Sequence, residues 1–161
     1  MTPALEQAQC MRQLAETYRA WGFNLVPLGA DKRPVVTGVN PGGGVYRFRW
    51  EDWQTQPQTA KLWQGIRKPE WWTEVAGVAA ICGPVSGDLV CIDFDKTEFG
   101  SVDTFLSLLN LSFLWVVDTP GGGWHVWLRC PGLTLDKGKL DQLAATGNGH
   151  IELRHVGHYA A

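Results

Sequence analysis

The chain has 161 residues, 45% of them hydrophobic and 19% charged, with a formal net charge of −2. This suits one globular domain with its own core; it is too apolar for a disordered segment and too nearly neutral to attract polynucleotide through a global basic field. No basic-then-apolar leader opens it and no apolar run reaches membrane-spanning length, so a cytoplasmic protein with no membrane partner is expected.

Thr2-Pro3 predicts a helix start, and Leu5, Ala8, Met11, Ala15 and Tyr18 recur along one helical face until Gly22 stops it. Residues 23–28 read as a strand, turned out by Asp31-Lys32-Arg33-Pro34. The Pro/Gly-rich residues 34–44 are expected to form a long mobile loop, and residues 46–50 a strand or an exposed arm. A short helix is predicted over 57–64. Two apolar strands, 77–82 and 89–95, follow in a hairpin-like or edge-to-centre arrangement around the turn at 83–87. Further on come a helix over 101–109, a strand over 113–119, a glycine turn at 120–123 and a strand over 124–129. A helix over 136–144, a turn at 147–149 and a strand over 150–154 complete the reading. Helices mixed with hairpin-compatible strands argue α+β rather than a regular parallel alternation.

Cys10, Cys82, Cys91 and Cys130 show neither C-x-x-C nor zinc spacing, so buried core thiols in a reducing compartment are expected rather than disulfides. Most of the nine tryptophans are read as packing residues, with base stacking as the competing use.

Chemistry concentrates at the end of the second apolar strand. Asp93 and Asp95 are two residues apart, so an extended chain points both to one face. Two carboxylates so close need a compensating cation, for which a hard divalent ion is suited; solvated aspartates at a strand end are the plainer account. His125 and Glu152 also sit singly between apolar neighbours on strands. Aligned in one sheet, these positions gather three carboxylates for one or two metals, with a histidine beside them as donor to a phosphate.

The ordered set Asp31-Lys32-Arg33-Pro34, Gly83-x-x-Ser86-Gly87, Val90-Cys91-Ile92-Asp93-Phe94-Asp95, Thr119-Pro120-Gly121-Gly122-Gly123-Trp124-His125 and Ile151-Glu152 resembles the bifunctional DNA primase/polymerase domain of the archaeo-eukaryotic primase superfamily. The likeness runs from about Tyr18 to the last residue. It implies an archaeo-eukaryotic primase fold: a small α/β N-terminal module on a modified RRM-like sheet, with the active site in the cleft between. It implies a single catalytic domain over 1–161, ending just past the third motif, where relatives continue; a truncated or unusually compact core is expected. By the same resemblance Asp93, Asp95 and Glu152 bind Mg²⁺ or Mn²⁺, His125 contacts the incoming nucleotide's phosphates, and Lys32 and Arg33 form a basic turn facing the cleft. Two departures stand out: Gly123 replaces the usual serine of the second motif, and Glu152 the usual aspartate of the third.

The implied reaction is template-directed nucleotidyl transfer on dNTP or NTP substrates, in replication of a plasmid, phage or prophage, with a helicase outside this chain as a partner. Amides of the glycine turn, Gly122 and Gly123 among them, are expected to form an anion nest for the triphosphate. Arg154, one strand period from Glu152, either reaches a phosphate or is a solvated edge charge. Arg47, Arg49 and Trp50, with Tyr46 and Phe48, form the one patch suited to a single-stranded DNA template and primer, unless it is an ordinary charged strand. His150, His155 and His158 read as surface or strand histidines. A silent nucleic-acid-binding module and a metal-dependent nuclease or nucleotide hydrolase are the alternatives.

Overall fold

The computed structural model describes residues 2–39, 41–65, 69–94, 115–133 and 151–161. The chain is a mixed α+β protein with several antiparallel sheets. It divides into two compact units, one within 1–81 plus 85–87 and 161, the other within 82–84 plus 88–160.

In the first unit, helix α1 (Pro3–Ala20) begins after an extended Thr2, with proline in the first turn where a missing N–H costs nothing. Gly22 adopts φ +86 and its N–H donates to the Arg19 carbonyl at 2.9 Å, ending the helix. Of the predicted apolar face only Ala8 and Ala15 are buried, whereas Leu5 is exposed; small side chains make the close contact. Strand β1 (Leu25–Leu28) is buried along its length. It pairs antiparallel with β4 (Gly77–Ile81), Leu25 opposite Ala80. Helices α2 (Ala60–Gly65) and α3 (Pro69–Trp72) bring Trp63 and Trp72 into a buried stack at 6.3 Å, with the Arg19 guanidinium 4.7 Å from the Trp63 ring. The packing role expected of tryptophan holds for these two, while Trp21 is half exposed.

Residues 34–44 correct one expectation. They are not a long loop: β2 (Val36–Val39) and β3 (Val45–Arg47) form an antiparallel ribbon with a register shift between Val36 and Gly38. The β-branched Val36, Thr37 and Val45 favour strands; Pro41, Gly42, Gly43 and Gly44 fall in the connection, and Gly38 sits inside β2 at the register shift. A second feature had no sequence signal. Buried Asn24 accepts from the Gln58 N–H at 3.0 Å and donates to the Trp53 and Gln56 carbonyls, both at 2.8 Å. The Gln58 amide in turn clamps both backbone groups of Leu25, at 2.8 and 2.7 Å. This network satisfies the loop's buried polar groups and fixes it to the strand.

The second unit is built on a four-stranded sheet in the order β6-β7-β5-β8, all neighbours antiparallel. Its strands are β5 (Leu89–Phe94), β6 (Trp115–Asp118), β7 (Trp124–Arg129) and β8 (Ile151–Arg154). The first strand of the unit thus lies between its third and fourth, as in a split β-α-β-β-α-β arrangement. The helices expected over 101–109 and 136–144, and the turn at 147–149, lie outside the described residues. Of the two arrangements expected for 77–82 and 89–95, the hairpin does not form. The turn, with a 3₁₀ segment at Pro84–Ser86, passes the chain from β4, paired with β1, to β5, paired with β7 and β8. Gly83 at φ +100 makes that change of direction, exchanging backbone bonds with Leu89 at 2.7 and 3.2 Å. After β8, the Cys82 N–H donates to the His158 carbonyl at 3.0 Å, and β9 (Tyr159–Ala160) follows.

All four cysteines are free. Cys82 and Cys91 are buried, and burial pushes the Cys82 thiol up to about 12 and the Cys91 thiol higher still, so both act as neutral hydrophobes. Cys10 departs from the buried expectation: it lies on the exposed side of α1. No helix among the described residues is long and apolar enough to cross a membrane.

Candidate active site

The sheet register brings three separated polar residues into one row. Asp93 on the central strand β5 stands opposite His125 on β7 and opposite Glu152 on β8. Because side chains alternate along a strand, the next row on the same face is Trp127, Cys91 and Arg154. Apolar residues on the other face, Val90 and Val126 among them, are buried and hold the sheet rigid behind the row. Asp95 lies outside the described residues, since β5 is described to Phe94.

Asp93 is closely held. His125 Nε2 lies 3.2 Å from Oδ1, and Arg154 Nη2 donates to Oδ2 at 3.0 Å. The His125 hydrogen bond, with help from the Arg154 guanidinium, keeps the Asp93 carboxyl below the usual carboxylate range, against the opposing effect of burial. Arg154 Nη2 also contacts Glu152 Oε2, so one nitrogen bridges the carboxylates of two neighbouring strands. His125 is buried, its ring edge-on to Trp127 at 6.0 Å, and Trp127 stacks on Trp115 at 5.2 Å. The indole pair and the aspartate thereby fix the imidazole's orientation. Its Nδ1 is buried with no partner among the described residues, as is Arg154 Nε. Such atoms are costly unless something else completes them.

Asp95, whose closeness to Asp93 led to the expectation of a cation, lies outside the described residues; Asp93 itself has a histidine and an arginine beside it. No group of three or more His, Cys, Asp or Glu side chains suited to a metal occurs among the described residues. The donor chemistry nevertheless fits a hard divalent ion. Two carboxylates converge on one cationic atom, the guanidinium nitrogen, and carboxylate oxygens are the ligands Mg²⁺ and Mn²⁺ prefer.

The glycine turn also departs from expectation. The Gly122 N–H donates to the Thr119 carbonyl at 2.9 Å and the Gly123 N–H to Thr119 Oγ1 at 3.1 Å, so both amides are spent inside the turn rather than forming a nest. Gly122 at φ +83 is required by that turn, which delivers Trp124 and His125 into β7. Arg154 is not a solvated edge charge; it faces the acids.

The other basic residues singled out by sequence, Lys32, Arg33, Arg47 and Arg49, lie in the first unit. Lys32 and Arg33 occupy an exposed turn in which Lys32 takes φ 58, closed by the Asp31 carboxylate accepting the Arg33 N–H at 3.1 Å. Arg47 donates to Asp31 at 3.1 Å and to the Pro34 carbonyl at 2.8 Å, and Arg49 to Asp52 at 3.0 Å. Two arginines of the predicted template patch therefore carry local carboxylate partners, and Trp50 is half-buried beside them. His155 is not a surface histidine: it is 1% exposed, with neither ring nitrogen partnered among the described residues. His150 lies outside the described residues. Trp127 as the support of His125, and Arg154 as the bridge between acids, were not singled out by sequence; the shared strand face of His125 and Trp127 was the available signal.

A family model described as bifunctional DNA primase/polymerase, N-terminal, matches residues 15–161. No curated protein matches the chain.

Proposed function

The chain belongs to the bifunctional DNA primase/polymerase family, and from that premise we propose that it catalyses template-directed nucleotidyl transfer at the Asp93–His125–Glu152 row. The observation that carries the reading is the register itself. Residues 27 or more positions apart in sequence stand side by side on three strands, with a carboxylate on the central one. An acid pair beside a buried imidazole is the equipment for handling a polyanionic substrate and a hydroxyl nucleophile.

In this reading Asp93 and Glu152, with Asp95, hold Mg²⁺ or Mn²⁺. The bound ions supply charge neutralisation at the triphosphate and acidify the primer 3′-hydroxyl, the usual two-metal contribution. His125, oriented by Asp93 and Trp127, offers a ring nitrogen to the nucleotide's phosphates. Lys32 and Arg33 contribute positive charge for the nucleotide, and Arg47, Arg49 and Trp50 guide single-stranded template once their carboxylate partners yield. The setting proposed is cytoplasmic replication of a mobile element, with unwinding supplied by a helicase outside this chain.

One observation favours a second reading, a silent nucleic-acid-binding module: Asp93 and Glu152 are already paired with the protein's own Arg154. The test is primed and unprimed single-stranded template with labelled dNTPs or NTPs and Mg²⁺ or Mn²⁺, beside Asp93→Ala. Extension or new oligomers that vanish in the variant are expected. Template shortening would instead identify a nuclease, and template retention without turnover a binder.

A further inference from the structure

Arg154 stands where the two acids of the row converge, and we propose that it is a displaceable internal counter-ion, exchanged for the divalent metal when the site loads. This rests on the metal reading above. Arg154 Nη2 touches Asp93 Oδ2 at 3.0 Å and also Glu152 Oε2. A metal bridging the same oxygens would put a divalent ion against a guanidinium at contact distance, a like-charge encounter that a half-buried face cannot screen. The two cations are therefore alternatives.

The arginine is held in a way that permits release. It grips both carboxylates through one nitrogen rather than by the two-pronged fork that makes arginine–carboxylate pairs strong. Its Nε is buried with no partner among the described residues, so the present pose leaves that donor unsatisfied by them. The side chain is 31% exposed, which gives the guanidinium a route outward. The arrangement has a purpose before loading: without a cation, Asp93 and Glu152 would repel each other across neighbouring strands. Arg154 offsets that repulsion and sets a threshold that a metal must exceed.

The test is Mn²⁺ binding, read as loss of the free-ion electron paramagnetic resonance signal, on wild type, Arg154→Met and Asp93→Asn without nucleotide. Arg154→Met is expected to bind Mn²⁺ about tenfold more tightly, the equivalent of releasing one ion pair, and Asp93→Asn more weakly than wild type. Equal or weaker binding by Arg154→Met, with Asp93-dependent binding in wild type, overturns this proposal alone. No Asp93-dependent binding in either protein overturns the metal reading and this proposal with it. A measurement on wild type guards against misfolding of the variant: in ¹⁵N-arginine-labelled protein, saturating Mg²⁺ should shift the Arg154 Nε–H resonance, assigned with Arg154→Lys, into fast solvent exchange. A resonance left unmoved at saturation overturns the exchange.

Discussion

Among the described residues three aspartate–arginine pairs of nearly the same length occur, and two of them do different work. Asp31–Arg47, at 3.1 Å, is largely solvated and ties a turn to a ribbon. Asp93–Arg154, at 3.0 Å, sits on a sheet face where the Asp93 side chain is 16% exposed and a buried imidazole completes it. Both carboxyl groups are held below their ordinary range, Asp31 chiefly by the Arg33 backbone N–H and Asp93 chiefly by His125. Distance alone does not rank the pairs. Screening by water decides which can carry chemistry and which only shapes the chain.

The sharpest way to break the contrast is the isosteric Asp93→Asn, expected to reduce primer extension by about a thousandfold or more while near-ultraviolet circular dichroism stays native. Equal activity would place the chemistry elsewhere. Glu152→Gln, removing the outer acid of the row, is expected to cost about a hundredfold in the same assay, with Glu152→Asp recovering part of it. Acid pH sharpens the comparison further. Because the folded pKa of Asp93 is depressed below its ordinary 3.8, its stabilising contribution is complete above that value and is lost as pH falls through the folded one. Urea unfolding of the metal-free protein should therefore show wild type losing its advantage over Asp93→Asn below about pH 4.

Gly122→Ala comes next. Forcing an alanine to φ +83 should destabilise the protein by about 1 kcal/mol in urea unfolding and lower extension modestly through His125. The smallest effect belongs to Asp31→Asn, expected to leave extension unchanged and to show only a slight thermal shift that disappears at about 1 M salt. A large loss of activity there would erase the distinction between the two pairs.

Much of the row was legible because strands alternate. Asp93, His125 and Glu152 each interrupt an apolar pattern, and three such interruptions on strands of one sheet have few ways to lie. The pairing of Arg154 was not legible: it depends on β8 meeting β5 with Cys91 opposite Arg154, a register that no local pattern encodes. The β2–β3 ribbon was missed because proline and glycine outweighed Val36, Thr37 and Val45 in a stretch short enough to read as loop. The supposed hairpin at 83–87 failed for a related reason, since a glycine turn does not reveal whether the strands it joins share a sheet. The burial of His155 had no signal at all; its neighbours along the chain, Arg154 and Val156, carry no core pattern. Asn24 and Gln58 were equally silent, since a buried amide clamp joins residues 34 apart.

The placement of β8 has a consequence for how the protein is made. β8 follows β7 along the chain, so during translation β5 can pair with β7 before its other flank emerges from the ribosome. In that interval the central strand, rich in Leu89, Val90 and Ile92, is a bare rim with open amides and carbonyls, and Asp93 lacks its arginine. Strand β8 thus closes a sticky border and neutralises the acid in a single docking event. A nascent chain stalled before β8 would be vulnerable to clumping and unprepared for its substrate at once.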